Sequence, residues 1–267
     1  MSRPSDMFYV VYNGIRPDRV DADNLHLVNK KDKPPVVLIH GAGGTHLYWP
    51  TLIRRLVGYP VFALDLPGHG KSTGDGKQSI EAYADTVKAW MDFIGLGPAA
   101  FFGHSMGGAI VLNLALEYPQ HVLGLGLLSS GARLRVHPAL LESTTSEATL
   151  SIAVEQLIQW AFDPQFPPRQ RQIAAKRMAE TPAHVFHGDF LACNAFDVRD
   201  RLVEISQPTI VVCGAADQLT PVRFSEYLAG EILGAQLKII HGAGHMVMLE
   251  QPAAVAEIMR GFLEGIR

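Results

Sequence analysis

Serine, aspartate and histidine occur in this chain in an order and in local contexts that suit nucleophilic acyl chemistry. Ser105 is the centre of Gly103-His104-Ser105-Met106-Gly107, which follows one apolar run and opens another. A chain that turns from strand to helix within two residues strains the central one, and flanking glycines avoid collisions across the turn. The hydroxyl is then presented at a helix N-terminus, where backbone N–H groups favour developing negative charge. A glycine-rich turn with a capping serine is the alternative, but a strand before and a helix after favour the nucleophile.

A serine hydroxyl is a poor nucleophile at neutral pH, so a histidine must take its proton and a carboxylate must orient that imidazole. Asp217 stands just past the apolar run Thr209 to Cys213, and His245 just past the run ending at Ile240. His241 borders the same run but has no loop to carry it over the serine. Asp197 and Asp200, the rival acids, close a helical stretch and better suit bracing or solvating that junction. Acyl transfer also needs two donors aimed at an oxyanion. His40-Gly41-Ala42-Gly43-Gly44 follows the run Val36 to His40, and the backbone N–H groups of Ala42 and Met106 are the expected pair. A phosphate loop would need a different glycine and lysine spacing.

These residues need a scaffold, and the rest of the chain reads as one. Strand-like runs are Phe8 to Tyr12, Leu25 to Val28, Val36 to His40, Val61 to Leu64, Ala99 to Phe102, Val122 to Leu128, Thr209 to Cys213 and Leu237 to Ile240. Helical patterns between them predict an α/β fold with a mostly parallel eight-stranded sheet. The last six runs are nearly continuous in apolar character, as expected of strands covered on both faces, and the first two suit an antiparallel edge. Ile80, Tyr83, Ala84, Val87, Met91 and Ile94 recur at helical spacing after Ser79, a suitable N-cap, and before Gly95. Gly107 to Tyr118 is apolar nearly all round, which predicts a buried helix.

From about Gly131 to Asp200 the alternation stops. Helical spacing, a capping-box pattern at Thr144 and Glu147, and breaks at Pro164, Pro167, Pro168 and Pro182 predict a helical insertion over residues 132–200. The core domain is then 1–131 with 201–267, and the insertion is expected over the carboxyl ends of the strands.

Composition narrows the partners. The chain has 267 residues, 48% hydrophobic and 18% charged, with a net charge of −3, so no positive excess drives nucleic-acid binding. No apolar stretch is long enough to span a bilayer and the start lacks a signal-peptide core, which predicts a cytoplasmic protein without a membrane span. Cys193 and Cys213 belong to no zinc or redox spacing and read as buried thiols, with a single disulfide as the alternative. Oligomeric state is not written in the sequence.

The motifs together resemble the α/β-hydrolase fold family, in particular its serine esterase-like members with a helical cap, over essentially the whole chain. Asp65-Leu66-Pro67-Gly68-His69-Gly70-Lys71-Ser72 is similar to the family's D-x-x-G-x-G-x-S turn, and Pro208 to Asp217 and Gly242 to Pro252 to its acid and histidine blocks. The resemblance implies structural roles for His40, Asp65, His69 and His104. Haloalkane dehalogenases and the related epoxide hydrolases carry aspartate where this chain has Ser105. Ser105-Met106-Gly107-Gly108 resembles the hydrolases of carbon–carbon bonds, but those usually have asparagine before the serine and tryptophan after the histidine, where His104 and Met246 stand here. An ester bond is therefore expected, cleaved through an acyl-enzyme without metal or organic cofactor. Carbon–carbon hydrolysis, acyl transfer and a non-turnover receptor on the same fold are the alternatives.

For the substrate, Trp160, Phe162, Met178, Phe186 and Phe190 of the insertion, with Met246, are the expected pocket residues, and a small to medium, partly apolar ester is the expected ligand. The same side chains could instead form the insertion's own core. His184, His187 and Asp189 have a spacing that hints at a metal, but the chemistry has no task for one and they read as polar rim residues.

Overall fold

Side chains along a strand alternate between faces, so each apolar run here serves two cores at once. The computed structural model describes residues 4–13 and 33–266. Its strands are β1 (Tyr9–Tyr12), β2 (Val36–Ile39), β3 (Val61–Leu64), β4 (Ala99–His104), β5 (Val122–Leu128), β6 (Thr209–Gly214) and β7 (Gln236–Ile240). Among the described residues they form one seven-stranded sheet in the order β1-β3-β2-β4-β5-β6-β7. All neighbours are parallel except β1, which pairs antiparallel with β3 at the edge. Seven strands replace the eight expected: the run Leu25 to Val28 lies outside the described residues.

The helices are α1 (Thr51–Arg54), α2 (Ile80–Ile94), α3 (Met106–Glu117), α4 (Pro138–Ser143), α5 (Glu147–Ala161), α6 (Pro168–Met178), α7 (Ala183–Ala195), α8 (Val222–Glu231), α9 (Val247–Glu250) and α10 (Pro252–Glu264). Val37, Ile39, Phe62 and Leu64 face α2 and α3, whereas Val36, Leu38, Val61 and Ala63 face the side of α1 and α10. The Ser79 hydroxyl caps α2 by accepting from the Ala82 N–H at 3.2 Å, and Gly95 ends it at φ 64°. Buried side chains run unbroken from Met106 to Ala115 in α3, as its all-round apolar pattern requires.

Two expectations change. Strand β7 is an edge, with Gln236, Lys238 and Ile239 exposed, so it is not covered on both faces. The capping box does not form: Thr144 ends α4, where its hydroxyl donates to the carbonyls of Leu140 and Leu141, at 3.1 and 3.0 Å. Glu147 instead accepts from the Ala183 N–H at 2.7 Å, at the positive end of α7. Helices α4 to α7 all lie between β5 and β6. Both cysteines are buried and free, which removes the disulfide alternative. Among the described residues no helix is long and apolar enough to cross a membrane.

One close approach fixes how β4 and β5 meet. Gly126 of β5 stands opposite Phe102 of β4, and a β-carbon on it would lie 2.0 Å from the Phe102 ring. That ring is fully buried and held edge-on against Phe262, centroids 5.9 Å apart, so it has nowhere to go. Gly126→Ala is expected to lower unfolding free energy by ~1–3 kcal/mol in urea titrations, as overpacking does. A midpoint equal to the parent's would show that Phe102 is free to shift.

Candidate active site

Strand β4 ends in His104 and α3 begins at Met106, which leaves Ser105 alone to turn the chain, at φ 53° and ψ −116°. A non-glycine residue at positive φ costs energy and persists only where its surroundings over-determine it. Here the Ser105 N–H donates to the Leu128 carbonyl at 2.9 Å, and the Ser105 carbonyl accepts from the Ser130 hydroxyl at 2.8 Å. Helix α3 crosses β2 and β4 so closely that a β-carbon on Gly107 would sit 2.3 Å from the Ile39 carbonyl oxygen. Ser105 is thus pinned from β5 and from its own helix, with α3's first N–H groups beside it.

The acid and histidine loops are tied together before their side chains meet. The Ala215 N–H donates to the Ile240 carbonyl and the Ala216 N–H to that of Ala243, both at 2.9 Å. His245 Nδ1 lies 3.0 Å from Asp217 Oδ2 and 3.1 Å from Oδ1, and both side chains are buried. Asp217 also accepts from the Thr220 hydroxyl and N–H, each at 2.8 Å, and from the Leu219 N–H at 3.0 Å. Burial alone would raise this carboxyl. The His245 ring and the Thr220 donors outweigh burial and hold it below the ordinary carboxylate range.

The backbone around His245 is fixed as well. Glu250 accepts from the Gly244 N–H at 2.9 Å and from the Asp163 N–H at 2.7 Å. His104 Nε2 donates to the His245 carbonyl at 2.9 Å. Burial, then the neighbouring His245 ring, pushes His104 down to about 3, so it is a neutral donor. Thr220 and Glu250 went unread in the sequence. Their only signals were a threonine three residues after Asp217 and a glutamate five after His245.

On the other side, His40 Nε2 accepts from the Leu66 N–H at 3.0 Å, which leaves Nδ1 to donate to the Gly41 carbonyl at 2.8 Å. Asp65 accepts from the His46 N–H at 2.7 Å, from His46 Nδ1 at 2.9 Å and from the Lys71 N–H at 3.0 Å. The turn after β3 thereby braces the glycine-rich loop after β2.

Ser105, His245 and Ala42 line one cavity of about 340 Å³. Trp160, Met178, Phe186, Phe190 and Met246 line it too. Phe162 does not: at the end of α5 it is fully buried, stacked on Phe166 with centroids 5.0 Å apart and packed in the cluster that joins the helices to the sheet. The side chain of Met106 is buried, which leaves only its backbone for the site. His184, His187 and Asp189 diverge. His184 is exposed beside Asp75, His187 Nδ1 lies 3.1 Å from the Thr144 hydroxyl, and Asp189 is wholly buried, so it is no rim residue.

A strained serine between strand and helix, with an Asp–His pair beyond later strands, defines a class, and comparison with known proteins agrees. The alpha/beta hydrolase fold family model matches residues 34–252, and the chain belongs to that family. The pimeloyl-(acyl-carrier protein) methyl ester esterase of Neisseria meningitidis serogroup C is 32% identical over 250 residues, spanning 86% of this chain and 94% of that one. The 3-oxoadipate enol-lactonase 1 of Acinetobacter baylyi is 26% identical over 244 residues, spanning 89% and 91%. Among solved structures, a thermophilic esterase superposes with a TM-score of 0.78 at 28% identity, covering 97% of this chain and 98% of that one. The enol-lactonase from Burkholderia xenovorans shares the fold at a TM-score of 0.85 and 21% identity, covering 97% and 96%.

The buried histidines make stability depend on pH. His104 titrates at 6.5 unperturbed and at about 3 in the fold, so the folded protein excludes a proton that the unfolded chain binds. Its contribution is full above pH 6.5 and falls by ~1.4 kcal/mol per pH unit on acidification below that. His40, lowered to about 4 by burial and then by His69, acts with the same sign. His69 opposes them: burial would lower it, but Asp189 raises it, so its contribution is full below 6.5 and lost as pH rises through its folded value. Urea titrations at pH 7, 6 and 5 are expected to show His104→Gln losing up to one proton's worth of slope. An identical slope in parent and variant would mean that His104 takes up its proton without unfolding.

Proposed function

We propose that this chain is a serine carboxylic ester hydrolase in which Ser105 is the nucleophile, His245 its base and Asp217 the acid that orients the base. The N–H groups of Ala42 and Met106 are the oxyanion donors in this reading, and residues 132–200 are a cap over the site. The observation that carries it is the Asp217–His245 contact at 3.0 Å, beside the same cavity that Ser105 lines.

The steps follow from those roles. His245 takes the Ser105 proton as Oγ bonds to the acyl carbon, and the carbonyl oxygen becomes the oxyanion beside the two N–H groups. As the tetrahedral adduct collapses, the bond to the leaving oxygen breaks and His245 gives that oxygen the proton. Water then repeats the sequence on the acyl-enzyme, and the acid leaves with Ser105 restored. Asp217 stays ionised throughout, in keeping with its lowered pKa.

A volume of about 340 Å³ lies at the small end of ligand pockets and suits a small to medium ester. The lining by Trp160, Phe186, Phe190 and Met246 favours a partly apolar one. The names of the relatives, a methyl ester esterase and an enol-lactonase, point the same way, since a lactone is a cyclic ester. Two buried free cysteines agree with work in the cytoplasm.

Ser105→Ala is the direct test. With p-nitrophenyl butyrate, kcat is expected to fall by ~10⁴ or more while the circular dichroism spectrum is unchanged. Turnover at the parent's rate in pure protein would remove Ser105 from the mechanism.

A further inference from the structure

Asp189 is a fully buried carboxylate that no motif claims, and its partners all belong to the core. Oδ2 accepts from the Gly43 N–H at 2.9 Å and from His69 Nε2 at 2.8 Å, and Oδ1 accepts from the Tyr83 hydroxyl at 2.5 Å. The insertion therefore reaches the loop after β2, the turn after β3 and helix α2 through a single side chain. The Gly43 peptide is held from its other side as well, because the Thr181 hydroxyl donates to the Gly43 carbonyl at 3.1 Å. The Phe186 ring covers what remains: a β-carbon on Gly43, which sits at φ 62°, would lie 2.6 Å from it.

Gly43 follows Ala42, whose N–H is an oxyanion donor in the function proposed above. The Gly43 nitrogen closes the peptide plane that begins at the Ala42 carbonyl, so fixing both polar groups of Gly43 limits the rotation left to Ala42. A carboxylate is also the strongest acceptor a side chain offers to a backbone N–H. Its presence commits the Gly43 N–H to the insertion, so that donor is not left to compete for ligand in the cavity.

Helix α7 links this clamp to the substrate side. Asp189 and Phe190 lie three and four residues after Phe186, and Cys193 four and three residues after them, so the four share one helix face. Phe186, Phe190 and Cys193 line the cavity, and Asp189 hydrogen-bonds the loop that the Phe186 ring also covers. The same face thus contacts the space where substrate sits and holds the loop that receives the oxyanion.

We propose that Asp189 is a positioning residue for catalysis: from the insertion it sets the Gly43 peptide and, through it, the Ala42 donor, so that the oxyanion site is complete only with α7 docked. The inference rests on the proposed roles of Ser105 and Ala42. It predicts a defect in the transition state and not in substrate binding.

Asp189→Asn keeps the side chain's shape but puts an amide N–H where a carboxylate oxygen met donors. With p-nitrophenyl butyrate, kcat is expected to fall ~10- to 100-fold with KM within ~3-fold of the parent. Affinity for a boronic acid that forms a tetrahedral adduct with Ser105 should fall in step with kcat/KM. Lower thermal stability with kcat and boronate affinity unchanged would overturn the inference and leave Asp189 as a fastener of the insertion. If Asp189→Asn does not fold, Thr181→Val removes the other half of the clamp. A several-fold loss of kcat at constant KM then supports the proposal, and parent-like kcat and boronate affinity overturn it. Ser105→Ala run alongside separates the two levels: activity surviving there sinks the serine mechanism itself, whereas an inactive Ser105→Ala with a fully active Asp189→Asn sinks only the role of Asp189.

Discussion

The site is built outward from Ser105, which the fold holds at positive φ. A non-glycine residue there costs on the order of 1–3 kcal/mol, which the surroundings must offset. The sheet supplies the constraint because β4 is its central strand, bounded by β2 and β5. The chain moves from β2 outward to β3, returns to β4, and then runs the other way through β5, β6 and β7, so the direction reverses between β2 and β4. Connections leave those two strands on opposite sides and open a crevice at their carboxyl ends. Ala42 and Ser105 sit at the two lips of it, and the acid and histidine loops arrive from β6 and β7. Strain at the serine and convergence of the loops are thus two results of one strand order.

The site also sorts its ionisable groups by the partners each is given. Asp217 is buried yet keeps its charge, because Thr220, Leu219 and His245 surround it with donors. His104, equally buried, has the His245 carbonyl as its acceptor and the His245 ring nearby, so burial wins and it is neutral. His40 is held neutral in the same way, with one nitrogen donating and the other accepting. Of these three groups only the carboxylate that faces the imidazole carries charge, and the rings of His104 and His40 serve as fixed hydrogen-bonding posts.

What could be read from the sequence was whatever one stretch of chain settles by itself. The strand, turn and helix around Ser105 are contiguous, so glycine spacing and apolar runs revealed them. Asp217 and His245 were legible because each follows directly on a strand. The capping box was misread because Glu147 has a better partner than its own helix, the N-terminus of α7, which local spacing does not report. Phe162 was misplaced for a related reason: a helix end alone does not say whether its ring turns toward the cavity or toward Phe166. Asp189 looked like a rim residue among histidines, and its burial depends on Gly43, His69 and Tyr83, all more than a hundred residues earlier.

Those long-range pairs decide how the insertion seats. Apolar contact between insertion and core is extensive, with Leu157, Phe162 and Phe186 sharing one cluster with Met246 and Val247. Such contact is strong but non-directional, and by itself it would tolerate sliding. The directional ties lie at two places: Glu250 and the Met246 N–H hold the end of α5 against the histidine loop, and Asp189 and Thr181 hold α7's side against the glycine-rich loop. A buried acceptor that loses its donor costs more than the bond contributes when made, so a shifted insertion would leave the Asp189 carboxylate and one Glu250 oxygen without donors at once. Polar pairing at the two loops that flank Ser105 therefore favours a single seating of α5 and α7, the one in which Trp160, Phe186 and Phe190 line the same cavity as Ser105.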